Sequence, residues 1–268
     1  MSTFIGSQGR IHHDAWLPDG EVRGVVILLH GYGEHLGLYD ALGRRLARDG
    51  IAVHAMDVVG HGRSDGERAV IGSWDYYVDD ARALAAVAAD RHPGRPVVIV
   101  GHSGGAVAAY LLALRSPGIA DALVLSGAPL RALPWVDSDA DEEPEDIDPS
   151  EMFSTHPEYV HALLHDPLTW HGGFRPETLR ALTLTWPEIG AGLAEGRPGV
   201  PVLFVHGEDD PVVPIADARA NVASLPYARL SVFPRDLHDV LNEHDRDVVH
   251  ERVAAFVQAS IDLPVPVS

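Results

Sequence analysis

Short runs of branched apolar residues recur along the chain, separated by stretches in which apolar positions return every three or four residues. The runs are VVILLH (25–30), IAVHAMD (51–57), PVVIV (96–100), ALVLSG (122–127), VPVLFVHG (200–207) and RLSVF (229–233). All but the last, where Arg229 and Ser231 alternate with apolar residues, are nearly continuous, as expected of strands buried on both faces, and turn residues bound them. Residues 38–49, 74–91, 104–115 and 212–224 have helical composition. The segment EHDRDVVHERVAAFVQASI (243–261) places Val248, Val249, Val253, Phe256 and Val257 at helical spacing, which predicts a last helix against one sheet face. The pattern predicts an α/β fold, a mostly parallel sheet with helices on both sides.

The alternation of strand and helix stops between 129 and 198. That stretch opens with LRALPWVDSDADEEPEDIDPSEMF, in which eight acids fall between Asp137 and Asp148. A charge run of this kind reads as a solvated face or loop without catalytic work. Trp135, Met152, Phe153, Trp170, Phe174 and Trp186 are more informative, because so many large apolar side chains in an insertion suggest a cover over a cavity. The expected organisation is therefore a core of residues 1–128 and 199–268, with 129–198 inserted as a cap. No internal repeat is visible.

Composition narrows the partners. The formal net charge is −19, and all 20 basic residues are arginine. So acidic a surface repels phosphate backbones, which argues against nucleic acid. The absence of cysteine excludes disulfides, thiolate metal sites and cysteine nucleophiles, and fits a reducing compartment. The first residues lack a basic region followed by a long apolar one, and no run approaches the roughly 18 apolar residues of a membrane span. The expectation is a cytoplasmic protein with at most transient membrane contact through its cap.

Gly101-His102-Ser103-Gly104-Gly105 matches G-x-S-x-G after a predicted strand and before a predicted helix, where that pattern places a serine on a sharp, strained turn. Glycines 101 and 105 give the turn room, and helix N-terminal N–H groups face the serine oxygen. A serine hydroxyl needs a base to take its proton and a third group to orient that base. Of the histidines after the last predicted strand, His244 and His250 fall at or within the helical pattern, whereas His238 lies in the loop before it. His238 is the expected base. Glu208, Asp209 and Asp210 follow the strand at 200–207, and one of them should orient it; Asp210 is favoured because the turn needs a residue or two before a side chain can swing back, with Asp209 the alternate. The oxyanion donors would be the N–H groups of Gly104 and of Tyr32 in HGYGEH, the tyrosine side chain being incidental to that role. This chemistry calls for no metal or organic cofactor.

LLHGYGEH, GLYD, MDVVGHGRSDGERA, GHSGG, HGEDDPVV and LHDVLNEHDR, in this order, resemble the monoacylglycerol lipase and lysophospholipase-like group of α/β-hydrolases, with DPLTWHGG inside the insertion adding to the likeness. The resemblance spans about 25–255. It implies a Ser103–Asp210–His238 esterase or lipase with Tyr32 and Gly104 as oxyanion donors, and a helical cap over an acyl pocket. The implied substrate is a small-molecule or lipid ester, with lysophospholipase, peroxidase-like, acyltransferase and non-catalytic ligand-binding roles as alternatives. Glu34, His35 and the turn from Asp57 to Ser64 match positions read as scaffolding. Two positions depart from the group: Gly104 stands where relatives commonly have methionine, and Leu38 where many have an arginine that partners the residue matching Glu34.

Overall fold

The computed structural model describes residues 2–136 and 148–262. Residues 137–147 of the acid run lie outside them, whereas its last acid, Asp148, is described. Eight strands form one sheet: β1 (Ser2–Gly6), β2 (Gly9–Trp16), β3 (Gly24–Leu29), β4 (Ile51–Met56), β5 (Val97–His102), β6 (Ala122–Ser126), β7 (Val202–Gly207) and β8 (Ala228–Phe233), in the order β1-β2-β4-β3-β5-β6-β7-β8. From β4 to β8 every pairing is parallel. The two N-terminal strands pair antiparallel and extend one edge. They have no counterpart among the six expected strands. Their polar residues and half-exposed pattern place them at a sheet margin, where no continuous apolar run is needed.

The helices are α1 (Asp40–Arg48), α2 (Trp74–Arg91), α3 (Gly104–Arg115), α4 (Pro149–Met152), α5 (Pro157–His165), α6 (Pro176–Thr183), α7 (Trp186–Ala194), α8 (Ile215–Ser224) and α9 (Arg246–Ile261). The side-chain period of two along β3 sorts the core into two layers. Val25, Ile27 and Leu29 face α2 and α3, while Val26 and Leu28 face α1 and α9. On α9 the buried line is Val249, Val253, Val257 and Ile261; Val248 is exposed and Phe256 half-buried, so only part of the expected apolar set meets the sheet. That helix begins at Arg246, and His244 belongs to the turn before it. Likewise 212–214 are loop, and α8 starts only at Ile215.

Four helices, α4 to α7, lie between β6 and β7. α7 packs on α3 and α8, while α5 and the segment after it stand over the carboxyl ends of the parallel strands, the edge at which open α/β sheets place their sites. Loops after β3, β5, β6, β7 and β8 meet beneath them.

Candidate active site

Ser103 joins β5 to α3 with φ 49° and ψ −118°. A side chain there is strained by about 1–3 kcal/mol and persists only when its surroundings hold it. Ser103 N–H donates to Ser126 O at 2.8 Å, and its carbonyl accepts from Ala106 N–H at 2.9 Å, pinning the turn to β6 and α3. The flanking glycines are required by space. A Cβ on Gly101 would stand 2.5 Å from Gly105 O, and one on Gly105 2.1 Å from Leu29 O. His102 is buried between Ser103 and Ser126, its Nδ1 3.1 Å from Ser126 Oγ. Burial pushes its pKa down to about 4, so it is a neutral imidazole.

His238 follows β8 and is buried on the same side. Its Nδ1 lies 2.9 Å from Asp210 Oδ2. Asp210 Oδ1 accepts from the N–H groups of Val212 and Val213, both at 2.9 Å, which fixes the carboxylate plane. His206 Nε2 lies 3.2 Å from Asp210 Oδ2 and 2.8 Å from Val213 O. Burial works against ionisation of Asp210, but His238, His206 and the Val213 amide outweigh it and hold the carboxyl below its usual range. Glu208 and Asp209 are exposed, and Asp210 alone of the three meets His238. The His238 ring rests on Gly127 in the turn after β6, where a Cβ would come within 2.8 Å of Cε1. The rings of His102 and His238 stand 4.9 Å apart, and Ser103 and His238 line one cleft.

Tyr32 N and Gly104 face each other across the turn. A Cβ on Gly104 would lie 3.9 Å from Tyr32 N and 3.4 Å from Trp74 Cζ2. The Trp74 indole donates to Gly104 O at 3.1 Å, so the space next to Ser103 is taken by an aromatic ring from α2. The Tyr32 side chain has a positional role that the sequence reading did not give it. Its hydroxyl donates to Gly173 O and accepts from Arg175 N–H, both at 3.0 Å, and its ring stacks on Phe174 at 5.1 Å. DPLTWHGG docks directly on HGYGEH: Trp170 N–H donates to Gly33 O at 2.7 Å, and His35 Nε2 sits 3.2 Å from Asp166 Oδ2. Gly33, at φ 79°, has Trp170 O where a Cβ would be.

Two clefts meet at Ser103. One runs past Tyr32, Phe153, Tyr159, His171 and His238. The other is walled mainly by Trp74, Leu133, Trp135, Phe174, Leu182 and Val212. Of the six large apolar residues singled out in the insertion, Trp135, Phe153, Trp170 and Phe174 line these clefts, while Met152 and Trp186 pack around Leu133, Val212 and Val213. Glu34 is buried against Tyr39 and Tyr159 hydroxyls, and Leu38 packs on the α1–α9 core. Sequence reasoning missed Trp74, Gly127, Tyr159, His206 and Asp239. Only Asp239 carried a signal, its place beside His238. Among the described residues Glu34, His102 and Asp239 bring ligand-type atoms within 4.8 Å of one another, but tyrosine hydroxyls already occupy both Glu34 oxygens and Asp239 Oδ2.

Residues 20–245 match the serine aminopeptidase S33 family of hydrolases. The chain belongs to that family. The chain is 34% identical to the monoacylglycerol lipase of Mycolicibacterium smegmatis, over 95% of each chain. It is 38% identical to human monoglyceride lipase over 41% of this chain and 36% of the human one. Among solved structures, the monoacylglycerol lipase of Paleococcus ferrophilus superposes with a TM-score of 0.80 at 21% identity, covering 93% of this chain and 99% of that one. A thermostable carboxyl esterase from Bacillus coagulans gives 0.78 at 22%, covering 97% and 98%. The S33 chain thus has the α/β-hydrolase fold.

Proposed function

We propose that the protein is a serine esterase that hydrolyses carboxylic esters with an apolar acyl chain, monoacylglycerols first among them, through an acyl-enzyme on Ser103. The observation that carries this reading is the His238–Asp210 hydrogen bond of 2.9 Å at a cleft lined by Ser103, beside a second, apolar cleft. His238 Nε2 takes the Ser103 proton as Oγ attacks the ester carbonyl, and Asp210 holds the imidazole in the required tautomer. The oxyanion is received by the N–H groups of Tyr32 and Gly104, each such donor being worth about 10²- to 10³-fold in rate. His238 then protonates the departing alcohol and activates the water that frees the acid. Residues 129–198 act as a cap, with Trp74, Trp135 and Phe174 holding the acyl chain and the Tyr159–His171 side receiving the alcohol. The absence of cysteine fits a cytoplasmic location, and no helix among the described residues is long and apolar enough to cross a membrane.

A lysophospholipase would need a cation for the headgroup. Arg131 is bonded to Asn221, Arg175 stacks on Trp170, Arg197 pairs with Glu195, and none of them lines either cleft. Initial rates on monoacylglycerols, p-nitrophenyl esters, lysophospholipids and aminoacyl p-nitroanilides decide the matter. The expected order puts monoacylglycerols and medium-chain p-nitrophenyl esters far ahead of the other two; preference for the anilides would replace the esterase reading with a peptidase one.

A further inference from the structure

Behind the nucleophile two buried carboxyl groups meet without a cation. Glu34 is 5% exposed and Asp239 1%. Glu34 Oε2 accepts from Gly31 N–H and from the Tyr39 hydroxyl, both at 2.6 Å. Glu34 Oε1 accepts from the Tyr159 hydroxyl at 2.6 Å, and the same hydroxyl touches Asp239 Oδ2. Among the described residues no arginine pairs with either carboxylate. Asn242 Nδ2 stands 3.4 Å from both Asp239 oxygens, and His102 Nε2 3.9 Å from Oδ1.

One hydroxyl has one proton. If Tyr159 O–H donates to Glu34, its contact with Asp239 is favourable only when Asp239 carries a proton and donates to the tyrosine oxygen. Two adjacent buried carboxylates left ionised would each lack water and repel the other. The electrostatics agree in direction. Burial opposes the Glu34 charge, but His102, the neighbouring Asp239 carboxyl and hydrogen bonds from Tyr159 and Tyr39 outweigh it and bring the carboxyl to about 2. Burial and the Glu34 charge push Asp239 well above the carboxylate range. The titratable groups that face the pair are Tyr39, Tyr159 and His102, with Tyr77, Asp57 and His30 behind Glu34 and with His238, Asp210 and His206 beyond His102. Burial keeps Tyr39, Tyr77 and Tyr159 protonated and His30 and His102 neutral.

We propose that Glu34 and Asp239 are a positioning pair that holds one proton between them, and that this proton locks the loop carrying Tyr32 N–H to the loop carrying His238. Glu34 grips its own loop through Gly31 N–H, Asp239 is the residue after His238, and Tyr159 ties both to α5. The catalytic consequence rests on the esterase reading above; the proton itself does not.

Three readouts test it. Infrared difference spectra of wild type against Asp239→Asn, in mildly alkaline buffer, should show the C=O stretch of a protonated carboxylic acid in the wild type alone. For thermal unfolding, the sign follows from proton uptake on folding: the unfolded chain has released this proton above the ordinary carboxylate range and the folded chain keeps it, so the folded-to-unfolded ratio falls about tenfold per pH unit as pH rises toward the folded pKa. Asp239→Asn loses that slope, while a slope from Asp236, itself raised to about 8 by burial and Asp245, is common to both proteins and cancels. In kinetics, Asp239→Ala should lower kcat on the order of 10²-fold with little change in KM, as expected of a loop displaced by about an ångström, and Asp239→Asn should restore most of it. No acid band, parallel pH slopes, an Asn variant as slow as the Ala one, or a stoichiometric divalent cation in the purified protein would each overturn the proposal. The spectral and unfolding arms use no substrate, so they stand apart from any failure of the esterase reading.

Discussion

Replacing Asp210 with asparagine tests the site where its geometry is most constraining. Oδ1 of Asp210 accepts two backbone N–H groups, from Val212 and Val213, while Oδ2 faces His238 Nδ1 and His206 Nε2. An asparagine must keep its carbonyl oxygen on the two amides, because turning its NH2 toward them would set donors against donors. The NH2 group then faces His238 Nδ1, which has to become the acceptor. The ring proton moves to Nε2, the nitrogen that should receive the Ser103 proton. A serine protease of another fold loses about 10⁴ in kcat through the same exchange. Since each factor of ten is about 1.4 kcal/mol, the expected barrier rise is about 5.5 kcal/mol. The volume and the amide bonds are retained, so the fold should survive. The assay is steady-state hydrolysis of a p-nitrophenyl ester by Asp210→Asn and Asp209→Asn, with circular dichroism melts of both. We expect the first to lose about 10⁴ in kcat and the exposed Asp209 variant to stay within about twofold. An active Asp210→Asn, or a greater loss at Asp209, would refute the reasoning.

Ser103→Ala should abolish hydrolysis with little change in Tm, and Ser103→Gly should raise Tm, because glycine accepts the φ of 49° without strain. Gly105→Ala should yield little soluble protein, since its Cβ would stand 2.1 Å from Leu29 O and 2.5 Å from His30 O, both backbone atoms. Trp74→Ala should move the preferred acyl chain toward longer esters, read from relative kcat/KM over a chain-length series, because the indole fills the apolar cleft beside Gly104. For acid stability, a carboxyl whose folded pKa is lowered stabilises the fold above its unfolded pKa and loses that contribution as pH falls. Glu34, brought to about 2 from an ordinary 4.5, should therefore make the wild type lose stability across that window, and Glu34→Gln should flatten the acid limb of the Tm profile.

The inner parallel strands and most of their helices could be read from the chain because β3 to β7 are buried on both faces, and β8 at the edge still keeps a short apolar pattern; α2 and α3 occupy the expected 74–91 and 104–115. The edge strands β1 and β2 escaped because a half-exposed antiparallel strand needs no apolar run. Ser103, His238 and Asp210 could be picked out as candidates because turn chemistry and chain order restrict where such side chains can sit, and the structure brings them to one cleft. The groups that surround them were not. Tyr159 reaches Glu34 across 125 residues and His206 reaches Asp210 through the bend after β7. Such contacts depend on how the insertion folds back over the sheet, and no local period encodes that. The missing arginine at Leu38 predicted an unpartnered Glu34; the fold instead supplies two tyrosine hydroxyls and a second carboxyl.

The account stands on an activated serine at the end of β5, and covalent trapping measures that directly. The intact protein, treated with a fluorophosphonate and digested, should carry one adduct, on the peptide containing Ser103, formed quickly in the wild type and far more slowly in His238→Ala. A folded wild type that stays unlabelled, or an adduct on any other serine, would contradict it.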